Sequence, residues 1–279
     1  MCLRDRCWIF GDVPILPVTG DVGQYPWDRK ESFSHDAESA EVGRYAVALQ
    51  SSGIEAELSA ATRSGGLTFD YPEGGAASQV IVNAAGSLAS VRNATVEVED
   101  ARTVTGSVTS GGFCGKNNTH PTPPATALAP DAPASGPAHG PPVAPGDPPA
   151  DGNGAGAWLT FAPGATVHAK VGMSYVSVEG ARANLAAEIP GFDFDAVRDA
   201  NRAAWSDLLG KVRVAGEDAD DLTMFYTSLY HSLLHPNTFT DVDGRYVGFD
   251  GEIHQAPEGL ERCANFSGWD TSRALGARP

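Results

Sequence analysis

Tyr45-Ala46-Val47-Ala48-Leu49, Ile54-Glu55-Ala56-Glu57-Leu58 and Leu67-Thr68-Phe69-Asp70-Tyr71 place larger apolar side chains at alternate positions, with Gly and Ser in the stretches between them. Successive side chains of a strand point to opposite faces, so this spacing gives each stretch one face to bury and one to leave wet. The connections are short, which favours antiparallel neighbours. Val80 to Val82, Val96 to Val98 and Val104 to Val108 continue the series, and Trp158 to Phe161 and Val167 to Tyr175 resume it. An antiparallel β-sandwich over residues 11–176 is the expected architecture. Residues 1–10 form an atypical N-terminus.

Eleven of the 20 prolines fall between Pro121 and Pro149, in a run of Pro, Ala, Gly and Asp. Large apolar side chains are almost absent there, so burial has little with which to offset the entropy of ordering. A disordered segment at about 121–156, interrupting the sandwich, is the expectation. At Ser177 the period becomes helical. Ser177 can cap a helix that Pro190 and Gly191 end, Asp193 can cap a second that Gly210 ends, and a third amphipathic segment runs from Asp221 to Leu234. Residues 177–215 therefore read as linker helices and 216–279 as the start of a second, helical unit.

With 19 Lys and Arg against 35 Asp and Glu, the net charge is −16, and no basic stripe offers phosphates a place to release counterions. Nucleic acid is not an expected partner. No apolar run approaches the roughly 20 residues that span a bilayer, so no membrane partner is expected either. Arg4, Asp5 and Arg6 occupy the place where a signal peptide needs an apolar core, and no leader is readable. The four cysteines, Cys2, Cys7, Cys114 and Cys263, are too scattered to indicate a disulfide framework or a zinc site.

Three constellations could carry chemistry. His231 and His235 share a helix face at i, i+4, but Ser232 stands where a zinc protease has Glu. Asp241, Asp243 and Glu252 fit positions one, three and twelve of a calcium loop. Arg245 and Tyr246 spoil positions five and six, so the stretch reads instead as a turn at Gly244 with Tyr246 and Phe249 returning as a hairpin. Asn265-Phe266-Ser267-Gly268-Trp269-Asp270-Thr271 sets an indole beside a carboxylate, the pair that holds a sugar by its C–H face and two hydroxyls. The same residues also suit a helix cap at Asp270 or Ser267 with Trp269 in a core.

Phe225-Tyr226-Thr227-Ser228-Leu229-Tyr230-His231-Ser232-Leu233-Leu234, Asp241-Val242-Asp243-Gly244-Arg245-Tyr246 and the 265–271 motif, in this order, resemble glycoside hydrolase family 92. Gly11-Asp12-Val13-Pro14-Ile15-Leu16-Pro17, Phe33-Ser34-His35-Asp36, Gly43-Arg44-Tyr45 and Val171-Gly172-Met173-Ser174-Tyr175-Val176-Ser177 resemble its N-terminal domain. The resemblance implies a calcium-dependent, inverting exo-α-mannosidase acting on mannose-containing glycans, extracellular in its full-length form. Its fold would be a β-sandwich, linking helices and an (α/α)6 barrel, of which this chain holds the first part. By motif position Trp269 and Asp270 would line the terminal-mannose subsite, with Trp27 a lesser wall from the sandwich side. The family's catalytic carboxylates and calcium ligands would lie beyond Pro279, so no catalytic or metal residue is assigned, and the truncated chain alone should be inactive. The rival reading is a non-enzymatic carbohydrate-binding or structural sandwich protein.

Overall fold

The computed structural model describes residues 11–23, 26–74, 76–88, 90–111, 125–130, 150–151, 155–234 and 236–264. Twelve strands open the described chain: β1 (Ile15–Thr19), β2 (Phe33–Glu41), β3 (Arg44–Leu49), β4 (Glu55–Ala60), β5 (Ser64–Asp70), β6 (Ser78–Val82), β7 (Ser90–Val98), β8 (Val104–Gly111), β9 (Ala125–Pro130), β10 (Ala150–Asp151), β11 (Ala157–Phe161) and β12 (Thr166–Ser174). They make a nine-stranded sheet in the order β10-β7-β8-β9-β12-β5-β4-β3-β2 and a three-stranded sheet, β1-β6-β11. Every pairing is antiparallel.

The two sheets share one core. Ile54, Ala56, Phe69, Val96, Val98, Val108, Val167 and Ala169 from the large sheet and its turns meet Val80, Val82, Leu159 and Phe161 from the small one. Each fully buried Val, Leu, Ile or Phe among them stabilises the fold by about 1.5–3 kcal/mol relative to exposure. Alternation assigns the faces: Val80 and Val82 point into this core, while Ile81 between them joins Val18 and Val22 in an outer layer. Thus β6 is buried along its whole length, as the middle strand of a sheet covered on both sides should be.

Strand β9 corrects the expectation of disorder for part of the Pro-rich run. Its backbone pairs with β12 on one side, Lys170 opposite Ala129, and with β8 on the other, Thr105 opposite Ala127. A strand flanked on both sides draws its hydrogen bonds from residues far away in sequence, which local composition does not reveal. Pro130 sits at its end, where a missing N–H is tolerated. Ala150–Asp151 pair with β7 at the sheet edge, and Ala155 and Ala157 are buried, so the downstream end of the expected segment is structured too. Residues 131–149 lie outside the described part.

Tyr71 shows how polar groups enter the core. Its hydroxyl donates to the Gln79 carbonyl at 2.5 Å, and burial pushes its pKa far above the ordinary tyrosine range. A raised folded-state pKa leaves stability intact below about pH 10 and erodes it as pH climbs further, because only the unfolded chain deprotonates. Tyr71→Phe should cost about 1 kcal/mol at pH 8 and flatten the alkaline loss between pH 10 and 12. Urea midpoints of both proteins across that range are the check; an unchanged alkaline slope would remove Tyr71 as its source.

Three helices follow: α1 (Val178–Glu188), α2 (Phe194–Leu209) and α3 (Ala219–Ser232). Their caps include the two expected from sequence, the Ser177 hydroxyl accepting from Gly180 N–H and the Asp193 carboxylate from Ala196 N–H, each at 3.0 Å. The third begins earlier than its apolar pattern, since Asp218 accepts from Asp220 N–H at 2.8 Å. Helix α1 lies on β12 and β9 of the large sheet, and α2 crosses β4 and β5. Among the described residues no helix is long and apolar enough to cross a membrane.

Candidate functional site

Trp269, Asp270 and the whole of 265–271 lie outside the described residues, so the structure reports the segment that leads to them. Two short pairs build it: β13 (Asn237–Thr238) with β16 (Cys263–Ala264), and β14 (Arg245–Val247) with β15 (Ile253–Gln255). The first pair is extended by Phe239 N–H donating to the Arg262 carbonyl at 2.8 Å and by Arg262 N–H donating to Thr240 Oγ1 at 2.6 Å. The strand ending at Ala264 is therefore held, residue by residue, along 237–240 up to the threshold of the motif.

Asp241 anchors that segment to the sandwich. It is 5% exposed, and its carboxylate accepts from Ser174 Oγ at 2.6 Å and from Asn184 Nδ2 at 2.8 Å. Asn184, fully buried on α1, returns a bond by accepting from Val242 N–H through its Oδ1. One side chain each from β12, α1 and the loop thus meets at a single point. The approach is close enough that Gly180 has no room for a Cβ beside the Asp241 carboxylate and Ser174. Nearby, the rings of Tyr175 and Phe239 stack with centroids 4.3 Å apart, and burial raises the Tyr175 pKa.

The turn expected at Gly244 is present, with φ of +85°, a region open to glycine without steric cost. Asp241 to Arg245 do not form a calcium loop. Asp241 is committed to Ser174 and Asn184, and Asp243 accepts from the Arg245 backbone and guanidinium. Burial pulls the Asp243 pKa upward, but Arg245 outweighs it and holds the group below the ordinary carboxylate range. The returning hairpin pairs Tyr246 with His254, while Phe249 stands in its loop, fully exposed rather than paired. Among the described residues no three His, Cys, Asp or Glu side chains converge as metal ligands, so the described part does not fit the calcium that the family resemblance implies.

His231 lies exposed in the last turn of α3, and His235 lies outside the described residues. Trp27 sits in the short turn Pro26–Asp28, half-buried. Its ring packs edge-on to Trp158, 6.4 Å between centroids at 62°, and a Cβ at Gly156 would fall 2.5 Å from its Cζ3. Much of the indole is therefore committed to the outer layer with Leu16, Val18 and Ile81.

With this geometry in hand, comparison with known proteins decides the lineage. The sequence profile of the glycosyl hydrolase family 92 N-terminal domain matches residues 6–174, and that of the family's catalytic domain matches residues 180–277. The chain belongs to glycosyl hydrolase family 92. The junction between the two matches falls at Ser174 to Gly180, where the last long strand gives way to α1. Among solved family 92 structures, the α-mannosidase BT3965 from Bacteroides thetaiotaomicron superposes with a TM-score of 0.82 at 29% identity, over 95% of this chain and 37% of that one. The same enzyme is known in complex with mannoimidazole. A family 92 glycosyl hydrolase, ccman5, superposes with a TM-score of 0.79 at 31% identity, over 93% of this chain and 36% of that one. An uncharacterized secreted glycosidase from Arthroderma benhamiae is 32% identical over 78 residues, 26% of this chain and 10% of its own. The chain thus spans little more than a third of the solved family members and a tenth of that curated relative.

Several residues that shape this region were not legible as functional in the sequence. Asn184 carries a faint signal, a polar residue inside the apolar stripe of a helix. Arg63 and Glu188 carry none, because their meeting depends on strands and helices 125 residues apart.

Proposed function

We propose that this family 92 chain forms the N-terminal domain and the opening of the catalytic domain of an inverting exo-α-mannosidase that removes terminal mannose from glycans. The tandem match of both family domains, in order and meeting at one strand-to-helix junction, carries this reading. The named activity of BT3965 and its complex with mannoimidazole support the substrate class.

Trp269 and Asp270 line the terminal subsite: the indole packs on the apolar face of the ring, and the carboxylate accepts hydrogen bonds from its hydroxyls. Trp27 is the lesser candidate, with only the uncommitted part of its ring to offer. In an inverting glycosidase one carboxylic acid protonates the leaving oxygen while a carboxylate across the ring activates water. We assign both roles, and calcium ligation, to parts of the catalytic domain well after the Trp269-Asp270-Thr271 motif. Calcium would supply charge stabilisation and ring distortion there. This chain's own residues bind and orient.

Helices α2 and α3 support the placement of an (α/α)6 barrel downstream. Neither has a fully buried side chain, and Met224 and Phe225 of α3, with Val212 and Val214 in the connection before it, are between 37% and 63% exposed, an uncovered apolar side of the kind further barrel helices would close. The reading is tested by mannose release from an aryl α-mannoside, with calcium and with chelator, for the chain alone and for the chain joined to the rest of a family 92 catalytic domain. Calcium-dependent release is expected from the joined protein only.

A further inference from the structure

Arg63 lies in the turn between β4 and β5, on the sandwich, yet its guanidinium reaches three other parts of the chain. Nη1 donates to Glu188 Oε1 at the end of α1 (2.9 Å), Nε to the Thr240 carbonyl (2.5 Å) and Nη2 to Glu261 Oε1 (2.6 Å). Arg63 and Glu188 are each only 13% exposed, whereas Glu261 is 56% exposed. The residue is itself fixed from behind: its N–H donates to Glu188 Oε2 at 2.8 Å, and its carbonyl accepts from Met173 N–H at 2.9 Å. A planar fork with five donors can hold three acceptors at once in one geometry, which the point charge of a lysine cannot.

Two of the three acceptors belong to one pair. Thr240 and Glu261 face each other across the pair that ends at Ala264, with Thr240 Oγ1 engaging the Arg262 backbone on both sides. We propose that Arg63 is a positioning residue, a sandwich-borne clamp that holds the paired segments 237–240 and 261–264 of the catalytic domain against the N-terminal domain, and with them the approach to the Asn265 to Thr271 motif. This rests on the mannoside-binding reading of that motif. The clamp acts only through 237–240 and 261–264; Arg63 itself touches no substrate. Asp241, one residue from Thr240, fixes the same segment to Ser174 and Asn184, so Arg63 governs the outer strand more than the inner one.

Hydrogen exchange on the purified 279-residue chain tests the clamp without any sugar. Arg63→Met should speed exchange of the amides in 260–264 about tenfold or more and those in 237–240 less, because opening there becomes local rather than global. Arg44→Met, which cuts the bidentate pair of Arg44 with Glu57 in the same sheet, should leave both segments unchanged. Arg63→Lys should recover the melting temperature but not the protection of 260–264, a split that a merely stabilising charge would not produce. Should Arg63→Met fail to fold, Glu261→Ala severs the exposed arm alone and should speed exchange at 260–264 by itself. Unchanged exchange in Arg63→Met and Glu261→Ala, full rescue by lysine, or an equal effect from Arg44→Met would each overturn the clamp. An inactive joined enzyme would instead sink the mannosidase reading and leave the exchange result standing.

Discussion

Gly172→Ala should cost the chain about 3 kcal/mol or more, a large share of the 5–15 kcal/mol that usually separates folded from unfolded domains. Gly172 is where α1 comes down on β12. A Cβ there would lie 2.7 Å from Leu185 Cβ and still closer to the Ala181 carbonyl, and both atoms belong to a helix that cannot yield without moving as a body. Displacing α1 would also pull Asn184 from Asp241 and Glu188 from Arg63, so the loss propagates into the segment that leads to the candidate subsite. Gly23→Ala is the matched control: its φ of +78° imposes backbone strain of about 1–2 kcal/mol, but its Cβ would meet nothing within 4 Å. Urea midpoints should rank the parent chain first, Gly23→Ala second and Gly172→Ala a distant third. If Gly172→Ala melts with or above Gly23→Ala, α1 is not seated on β12 as described.

Asp270→Ala, made in the chain joined to the rest of a family 92 catalytic domain, should lower kcat/KM by a factor on the order of 100 or more. The estimate takes roughly 1.5–3 kcal/mol for each hydrogen bond to a charged group and assumes that Asp270 accepts from hydroxyls of the reacting ring. Thermal stability should hardly change, because such a carboxylate faces the substrate rather than the core. A helix-capping Asp270 predicts the opposite, a loss of about 1 kcal/mol in stability with near-normal kinetics. Measured on one variant, a destabilised but fully active Asp270→Ala enzyme would remove the residue from the subsite.

The legible parts of this fold are those whose pattern is local. Strands β3, β4, β5 and β12 announce themselves by alternation, and Ser177 and Asp193 by the helices they precede, because a period of two or a cap needs only neighbouring residues. Strand β9 does not, since Ala, Thr and Pro carry little alternation and its place was decided by β8 and β12, distant in sequence. Strand β2 was equally silent: Phe33 to Glu41 is mostly polar and exposed, as an edge strand that avoids pairing with other chains should be. The candidate site divides the same way. The 265–271 motif is readable as an indole beside a carboxylate, whereas the contacts of Asp241 with Ser174 and Asn184, and of Arg63 with Glu188 and Glu261, exist only once the sheets have closed. Asp241 was readable as a turn residue but not as a buried acceptor, because nothing adjacent to it in sequence is what it binds.

The chain belongs to glycosyl hydrolase family 92, and we propose that it orients the sugar for carboxylates held elsewhere in the catalytic domain of an α-mannosidase. The most direct test is mannose release from an aryl α-mannoside by the purified 279-residue chain, assayed in calcium and in chelator beside a mock preparation. The account predicts no release above the mock in either condition, and calcium-dependent release by the chain alone would contradict it.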